Sequence, residues 1–152
     1  MQASARAAGA LYGLAIGDAL GMPTQSLPRS QIAATKQAVS ALLAGADPGQ
    51  AGRNGTTNGA AMRITPVGIA TPCADLDVLV DRVVEASRAT HNTSVALAGA
   101  AAVAAAVSAG VDGAAPADAI RVAVAAAERG GGPATEPRIV RAGGHHGECG
   151  GY

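Results

Sequence analysis

The sequence predicts an all-α protein, a compact bundle of several helices. Alanine, the strongest helix former, is abundant, and apolar residues recur at helical spacing through most of the chain. No stretch of useful length alternates between apolar and polar residues, as a half-buried strand would. The 152 residues include no Phe, no Trp and only two Tyr. At this length we expect one domain, with a core of Val, Leu, Ile and closely packed small residues.

The first two helices are predicted over residues 4–20 and 35–45. Apolar side chains lie near helical spacing in the first at Leu11, Leu14, Ala15 and Leu20. The Gly-Met-Pro sequence at 21–23 should end this helix, because proline cannot continue it. The second helix has an apolar stripe of Val39, Leu42 and Leu43. Gly45 is its expected C-terminal stop.

A long loop rich in Gly, Asn and Thr follows at 46–59, and apolar residues resume at Ala60. The next predicted helix, residues 75–91, is amphipathic, with Asp75 as a natural N-cap. Its apolar face consists of Leu76, Leu79, Val80, Val83, Val84 and Ser87. One-sided patterning of this kind indicates a helix that packs on the core.

Two more helices are predicted, over residues 92–110 and 116–129. The first is an uncharged run of Ala, Val, Ser and Gly, ended by Gly110 or Gly113. A membrane span has this length, but small residues on every side favour a buried central helix packed closely by its neighbours. The last helix has Pro116 in its first turn, where proline is well tolerated.

Composition bears on partners and compartment. Eleven basic and eleven acidic residues give a net charge of zero. No basic field is therefore expected to bind nucleic acid or an anionic membrane, and aromatic residues to stack bases are lacking. Cys73 and Cys149 are far apart and form no disulfide framework. The apolar N-terminal stretch lacks a clear cleavage site, so we expect a cytoplasmic protein.

The C-terminal segment, residues 130–152, has little apolar content and no periodicity. We interpret it as a disordered Gly/His/Arg-rich tail that follows a helical domain of residues 1–129. Its potential metal ligands are His145, His146, Glu148 and Cys149. They are too closely spaced to form a closed tetrahedral site, so a flexible tail is the favoured interpretation.

Several polar positions are not needed by a helical core, and each has two interpretations. Asp18 could contact a metal or substrate, or could cap a helix or pair with an arginine. The Asn58-Gly59 turn could bind phosphate through backbone N–H groups, or could be an ordinary turn. Arg63 could reach a phosphate or be a buried partner of Asp18. His91, between Thr90 and Asn92, could bind a ligand or cap helix ends.

Three ordered blocks resemble the ADP-ribosylglycohydrolase family, of the dinitrogenase reductase-activating glycohydrolase type. They are GALYGLAIGDALGMPTQ (9–25), NGTTNGAAMRITPVGI (54–69) and ASRATHNTSVALAGAAAVAAAVSAGVDG (86–113). The resemblance implies an all-α protein that hydrolyses the glycosidic bond between ADP-ribose and an acceptor, with two Mg²⁺ or Mn²⁺ ions in a central cleft. The implied partner is ADP-ribose or an ADP-ribosylated protein.

The resemblance also implies where this chain would meet substrate. The residues matching the family's ADP-ribose cleft are Asn58, Gly59, Ala60, Met62 and Arg63. Those matching the loop near the ribose and phosphates are Thr90, His91 and Asn92. Asp18 matches the base of the cleft. Gln25 stands where many members have a glutamate; its neutral amide can position substrate or water but cannot act as a general base. No residue is assigned a catalytic role.

Departures from the family pattern concern the metals. The family's metal ligands come from a Thr-Asp-Asp run and an Asp-x-Asp-Thr run, and neither occurs in this sequence. The Asp-Leu-Asp at 75–77 fits neither, because it opens a helix. The first block is followed too soon by the next, which indicates an internal deletion between Ile32 and Thr35. After Arg129 the resemblance ends, and the tail has no counterpart in the family.

We therefore expect an ADP-ribosylglycohydrolase by ancestry that is inactive or crippled, since two divalent ions require several hard oxygen ligands. Helical faces normally buried should be exposed, which predicts marginal stability. Two alternatives remain open: a binding module that holds ADP-ribose without catalysis, and a non-functional truncated fragment. A small all-α interaction domain unrelated to the family is a further possibility.

Overall fold

A computed structural model of the chain describes residues 2–21 and 29–132, and within them the side chains of residues 2–16 and 36–132. This part consists of helices and connecting turns and contains no strand, which confirms the all-α prediction. The helices are α1 (Ala3–Gly21), α2 (Arg29–Leu43), α3 (Pro48–Ala51), α4 (Gly59–Arg63), α5 (Thr65–Ala70), α6 (Leu76–Ser87), α7 (Ser94–Asp112) and α8 (Pro116–Gly130).

The helix ends follow local signals in the sequence. Asp75 caps α6, since its Oδ1 accepts hydrogen bonds from the backbone N–H groups of Asp77 and Val78 at 3.1 and 3.2 Å. Thr93 caps α7 in the same way, with Ala96 as donor. Gly113, whose φ is +93°, ends α7 in the left-handed conformation that favours glycine. Of the two predicted stops for this helix, the second is therefore the one used.

Differences from prediction occur mainly in the first half of the chain. Helix α2 begins at Arg29, not at residue 35. The predicted loop contains the single-turn helix α3, which begins after Asp47 because that carboxylate accepts the N–H groups of Gly49 and Gln50. A helix of four residues is too short to show apolar periodicity. Its capping aspartate and first proline are also typical of turns, so the sequence predicted only a loop.

The centre of the bundle is α7. It packs chiefly on α8 and also on α4, α5, α6 and α1. Its buried residues are small, with Leu97 as the exception: Ala96, Leu97, Ala100, Ala101, Ala104, Ala105, Ser108 and Ala109. This helix is long and apolar enough to cross a membrane by length and composition. Its burial among five other helices agrees instead with the predicted central core helix.

Close helix approach depends on two glycines that face α7. A Cβ added to Gly68 in α5 would lie 2.5 Å from the carbonyl oxygen of Ala104. One added to Gly130, at the end of α8, would lie 2.9 Å from the Cβ of Ala101. At both places the helices therefore approach without a glycine side chain between them, and a methyl group would not fit.

The predicted apolar faces fit α6 but not α2. In α6 the buried residues are Leu79, Val80, Val83 and Ser87, as the periodicity indicates. In α2 two of the three predicted stripe residues are wrong: Leu43 is 84% exposed and Val39 is 45% exposed. The third, Leu42, is half-buried and follows the buried Ala38 by four residues, so the two share a face. Large apolar side chains are also exposed on α1, at Leu11, Tyr12 and Ile16.

Candidate functional site

Helix α3 and the loop that follows it are bound to the turn between α6 and α7 by several hydrogen bonds. The backbone N–H of Asn92 donates to the carbonyl of Gly52 at 2.8 Å, and its side-chain amide donates to Gly49 at 3.0 Å. The hydroxyl of Thr93 donates to the carbonyl of Gly55 at 2.8 Å. These bonds fix the two segments of the candidate site, residues 52–63 and 88–93, against each other.

Two glycines of the loop make this contact possible. A Cβ on Gly52 would lie 2.0 Å from the carbonyl oxygen of Arg88, and one on Gly55 would lie 2.1 Å from that of Thr90. Neither approach leaves space for a methyl group, and the opposing atoms are backbone atoms that cannot move aside. Both positions therefore require glycine for its size and not for an unusual backbone angle.

His91 lies at the centre of the candidate site and is only 3% exposed. Its Nε2 is 2.9 Å from the hydroxyl of Thr57, and its Nδ1 is 3.0 Å from the hydroxyl of Thr90. The backbone of Gly59 lies against the same ring, because a Cβ there would be 2.8 Å from both Cε1 and Nε2. Both ring nitrogens are thus occupied by hydroxyl groups of the two segments.

Arg63 extends this hydrogen-bond chain to the surface. Its guanidinium donates to the hydroxyl of Thr90, which is also the partner of the His91 ring. The chain therefore runs from Arg63 through Thr90 and His91 to Thr57. Arg63 is exposed, so it is not the buried arginine that one of the two sequence interpretations allowed.

Burial, and secondarily the positive charge of Arg63, lowers the pKa of His91. The ring is therefore neutral at pH 7, with one nitrogen donating and the other accepting. A general base becomes an imidazolium when it takes a proton, and both causes of the lowered pKa oppose that charge. We interpret His91 as a positioning residue that fixes the two segments and, through Thr90, Arg63.

The lowered pKa predicts that acid destabilises the fold. The unfolded chain takes up the proton near pH 6.5, whereas folded His91 takes it up only at lower pH. The contribution of His91 to stability should therefore fall as the pH drops through about 6.5 towards the folded pKa, and should level off below that value. Urea unfolding at several pH values should show this fall, and His91→Gln should reduce it. A variant with the same pH dependence as the parent would contradict the assignment.

The remaining predicted site residues are placed differently. Asn58 is exposed and its side chain makes no capping hydrogen bond. Met62 is 44% exposed, while Ala60 is fully buried in the core and so presents no side chain to a ligand. Helix α4 has only five residues, too few for the helix-start anion site that one interpretation of Asn58-Gly59 proposed. The exposed cation of Arg63 is the stronger anion-binding feature on chemical grounds.

Two predicted site residues have side chains outside the described part of the chain. Asp18 belongs to α1, where only its backbone is described, and Gln25 lies outside the described residues altogether. Thr57, by contrast, was missed from the sequence, although it bonds to His91. The sequence offers two adjacent threonines before Asn58, and nothing in it indicates which hydroxyl meets the imidazole.

The residues that the structure describes do not fit a two-metal site. They contain no group of three or more His, Cys, Asp or Glu side chains that could hold an ion. Asp75, in the Asp-Leu-Asp run, caps α6, and Asp77 pairs with Arg129 at 3.5 Å. Cys73 is buried and is not a free thiol, so the expectation of unlinked cysteines does not hold for it. The ligand types of the C-terminal tail, His145 to Cys149, lie outside the described residues.

Comparison with known proteins identifies a curated relative and a family. The uncharacterized protein YegU of Escherichia coli (strain K12) is 42% identical over 79 residues, which are 52% of this chain and 24% of that protein. The matched region thus spans about a quarter of the relative's length. No solved structure matches.

The family model described as ADP-ribosylglycohydrolase matches residues 1–37 and 33–148. The second match extends past residue 129, where the resemblance was expected to end. Together the two matches include both segments of the candidate site and nearly the whole chain. The resemblance carried by the three sequence blocks is confirmed, and the chain belongs to the ADP-ribosylglycohydrolase family.

Proposed function

We propose that this chain binds ADP-ribose, free or attached to a protein, at the candidate site, and hydrolyses its glycosidic bond weakly or not at all. The hydrogen-bond chain from Arg63 to Thr57 carries the binding part of this proposal. It joins two blocks of the family pattern and holds one exposed guanidinium in place. Guanidinium groups bind phosphate through paired N–H donors, which suits the diphosphate of ADP-ribose.

Weak or absent hydrolysis is proposed because the described residues lack a ligand set for the family's divalent ions. In the family these ions would orient the ribose and activate water. The family match also comes in two pieces that meet at residues 33–37, close to the internal deletion inferred from the sequence. The buried neutral His91 is poorly suited to replace the ions as a general base.

Thermal unfolding with ADP-ribose, with and without magnesium, tests both parts. Binding to the folded state alone should raise the Tm, by the equivalent of about 2.7 kcal/mol at a ligand concentration of one hundred times Kd. We expect the same shift in magnesium and in a chelator, and no release of ADP-ribose from an ADP-ribosylated protein. Tight binding of two magnesium ions by calorimetry would contradict the loss of the metal site.

A chain that unfolds cooperatively but never responds to ADP-ribose would contradict the binding proposal. A chain with no cooperative transition would support the non-functional fragment instead. The exposed apolar residues of α1 and α2 are the observation that favours that alternative. Adenosine, which lacks the diphosphate, is the matched control ligand, and it should shift the Tm much less than ADP-ribose.

A further inference from the structure

Three arginines elsewhere in the described residues form ion pairs, whereas the arginines of the candidate site form none with a described carboxylate. Away from the site, the ion pairs among the described residues are Arg82 with Glu85, Arg121 with Asp118 and Arg129 with Asp77. Arg53, Arg63 and Arg88 belong to the candidate site, and none of them forms an ion pair with a described carboxylate. Three arginines without a described counter-ion are thus concentrated at one place on a chain whose net charge is zero.

The backbone brings two of these arginines together. Arg53 follows Gly52, which lies directly against the carbonyl of Arg88. The backbone N–H of Asn92 donates a hydrogen bond of 2.8 Å to the carbonyl of Gly52, and this bond holds the two segments together. Arg53 and Arg88 therefore extend from backbone segments in contact. Arg63 reaches the same turn through its bond to Thr90.

The local charge is not balanced from within the loop. Asp47 is the acidic residue that precedes it, and its Oδ1 already accepts the N–H groups of Gly49 and Gln50. The three arginines are exposed. Like charges held near one another on a fixed backbone raise the local positive potential, which attracts an anion.

We propose that Arg53 and Arg88 form a second anion subsite beside Arg63, which binds a third phosphate on the ligand. This inference rests on the proposed function, in which Arg63 meets the diphosphate of ADP-ribose. The additional phosphate can be attached at the adenosine ribose or at the acceptor end of the molecule. Each guanidinium offers the paired N–H donors that bind a phosphate dianion, and the two arginines extend from backbone segments in contact.

Three ligands test the subsite by calorimetry at fixed salt: ADP-ribose, ADP-ribose 2′-phosphate and ADP-ribose 1″-phosphate. We expect one of the two phosphorylated ligands to bind about tenfold more tightly than ADP-ribose, as additional charge-assisted hydrogen bonds allow. Which ligand gains affinity identifies the end of the molecule that the subsite meets. The gain should decrease as salt is raised.

The double variant Arg53→Ala/Arg88→Ala should bind the preferred phosphorylated ligand no more tightly than ADP-ribose, so that the ratio of these two affinities is about one. The matched control, Arg82→Ala/Arg121→Ala, also removes two exposed arginines and should keep the ratio of the parent. Arg53→Lys/Arg88→Lys retains the charge and should keep part of the gain. If the alanine variant changes its circular dichroism spectrum, Arg53→Gln/Arg88→Gln replaces it with side chains that keep more of the original length.

Equal affinity for all three ligands in the parent protein would overturn the subsite and leave the proposed function intact. A gain that survives loss of both arginines would overturn it as well. Failure of every ligand to bind would instead overturn the proposed function. The two failures are therefore distinguishable in one set of titrations.

Discussion

Replacing Gly52 with alanine should destabilise the protein by about 3 kcal/mol, the upper part of the range for adding a methyl group where no space exists. The added methyl group would lie 2.0 Å from the carbonyl oxygen of Arg88. Relief requires the loop to move away, which would also break the hydrogen bond from Asn92 to Gly52. Urea unfolding followed by far-UV circular dichroism measures the effect.

Gly99→Ala is the control for this substitution. Gly99 lies in α7, and an added Cβ there meets no atom within 4 Å. Alanine at an open helical position should stabilise by about 0.5–1 kcal/mol, because glycine loses more backbone freedom on folding. If Gly52→Ala unfolds at the same urea concentration as the parent, the close contact between the loop and the α6–α7 turn does not exist in solution.

Replacing Arg63 with alanine should weaken ADP-ribose binding by about ten- to one-hundredfold. A charge-assisted hydrogen bond contributes about 1.5–3 kcal/mol, and each 1.4 kcal/mol corresponds to a factor of about ten in Kd. The fold should be largely retained, since Arg63 is exposed and its one described side-chain hydrogen bond is to Thr90. Isothermal titration calorimetry gives the affinity, and a urea titration checks the fold.

Thr90 variants separate the positioning of Arg63 from its charge. Thr90→Val removes the hydroxyl that bonds to both Arg63 and His91, with little change in shape, and should weaken binding. Thr90→Ser restores the hydroxyl and should restore most of the affinity. Arg82→Ala, which removes an exposed arginine paired with Glu85, is the charge control and should leave Kd unchanged. Parent-like binding by Arg63→Ala would contradict the assignment of the anion site.

Helices with strong local signals could be predicted well from the sequence. The periodicity of α6 identifies its buried face, and Asp75 is recognisable as its cap because a short acidic side chain directly precedes the apolar run. The stripe of α2 was misjudged because an alanine-rich helix has two usable faces. The buried face includes Ala38 and the half-buried Leu42, whereas periodicity of large residues alone also pointed to Val39 and Leu43.

The candidate site could be predicted only as separate segments. The family resemblance related residues 54–63 to residues 90–92, and the structure shows them in contact through Thr57 and His91. The contact of Gly52 with Arg88 could not be foreseen, because a glycine in a loop is equally typical of an ordinary turn. Pairing between two loops depends on their approach in three dimensions, which leaves no period in the sequence.

The small side chains of α7, and the glycines that face it, limit which substitutions this protein can tolerate. An alanine has no rotamers to lose on burial, so packing these helices costs little side-chain entropy, but each residue also removes little apolar area from water. Gly68 and Gly130 meet backbone or Cβ atoms of α7 at distances with no space for a methyl group. Almost any substitution at these contacts enlarges the residue and should force the helices apart. We therefore expect only the smallest amino acids to be tolerated there.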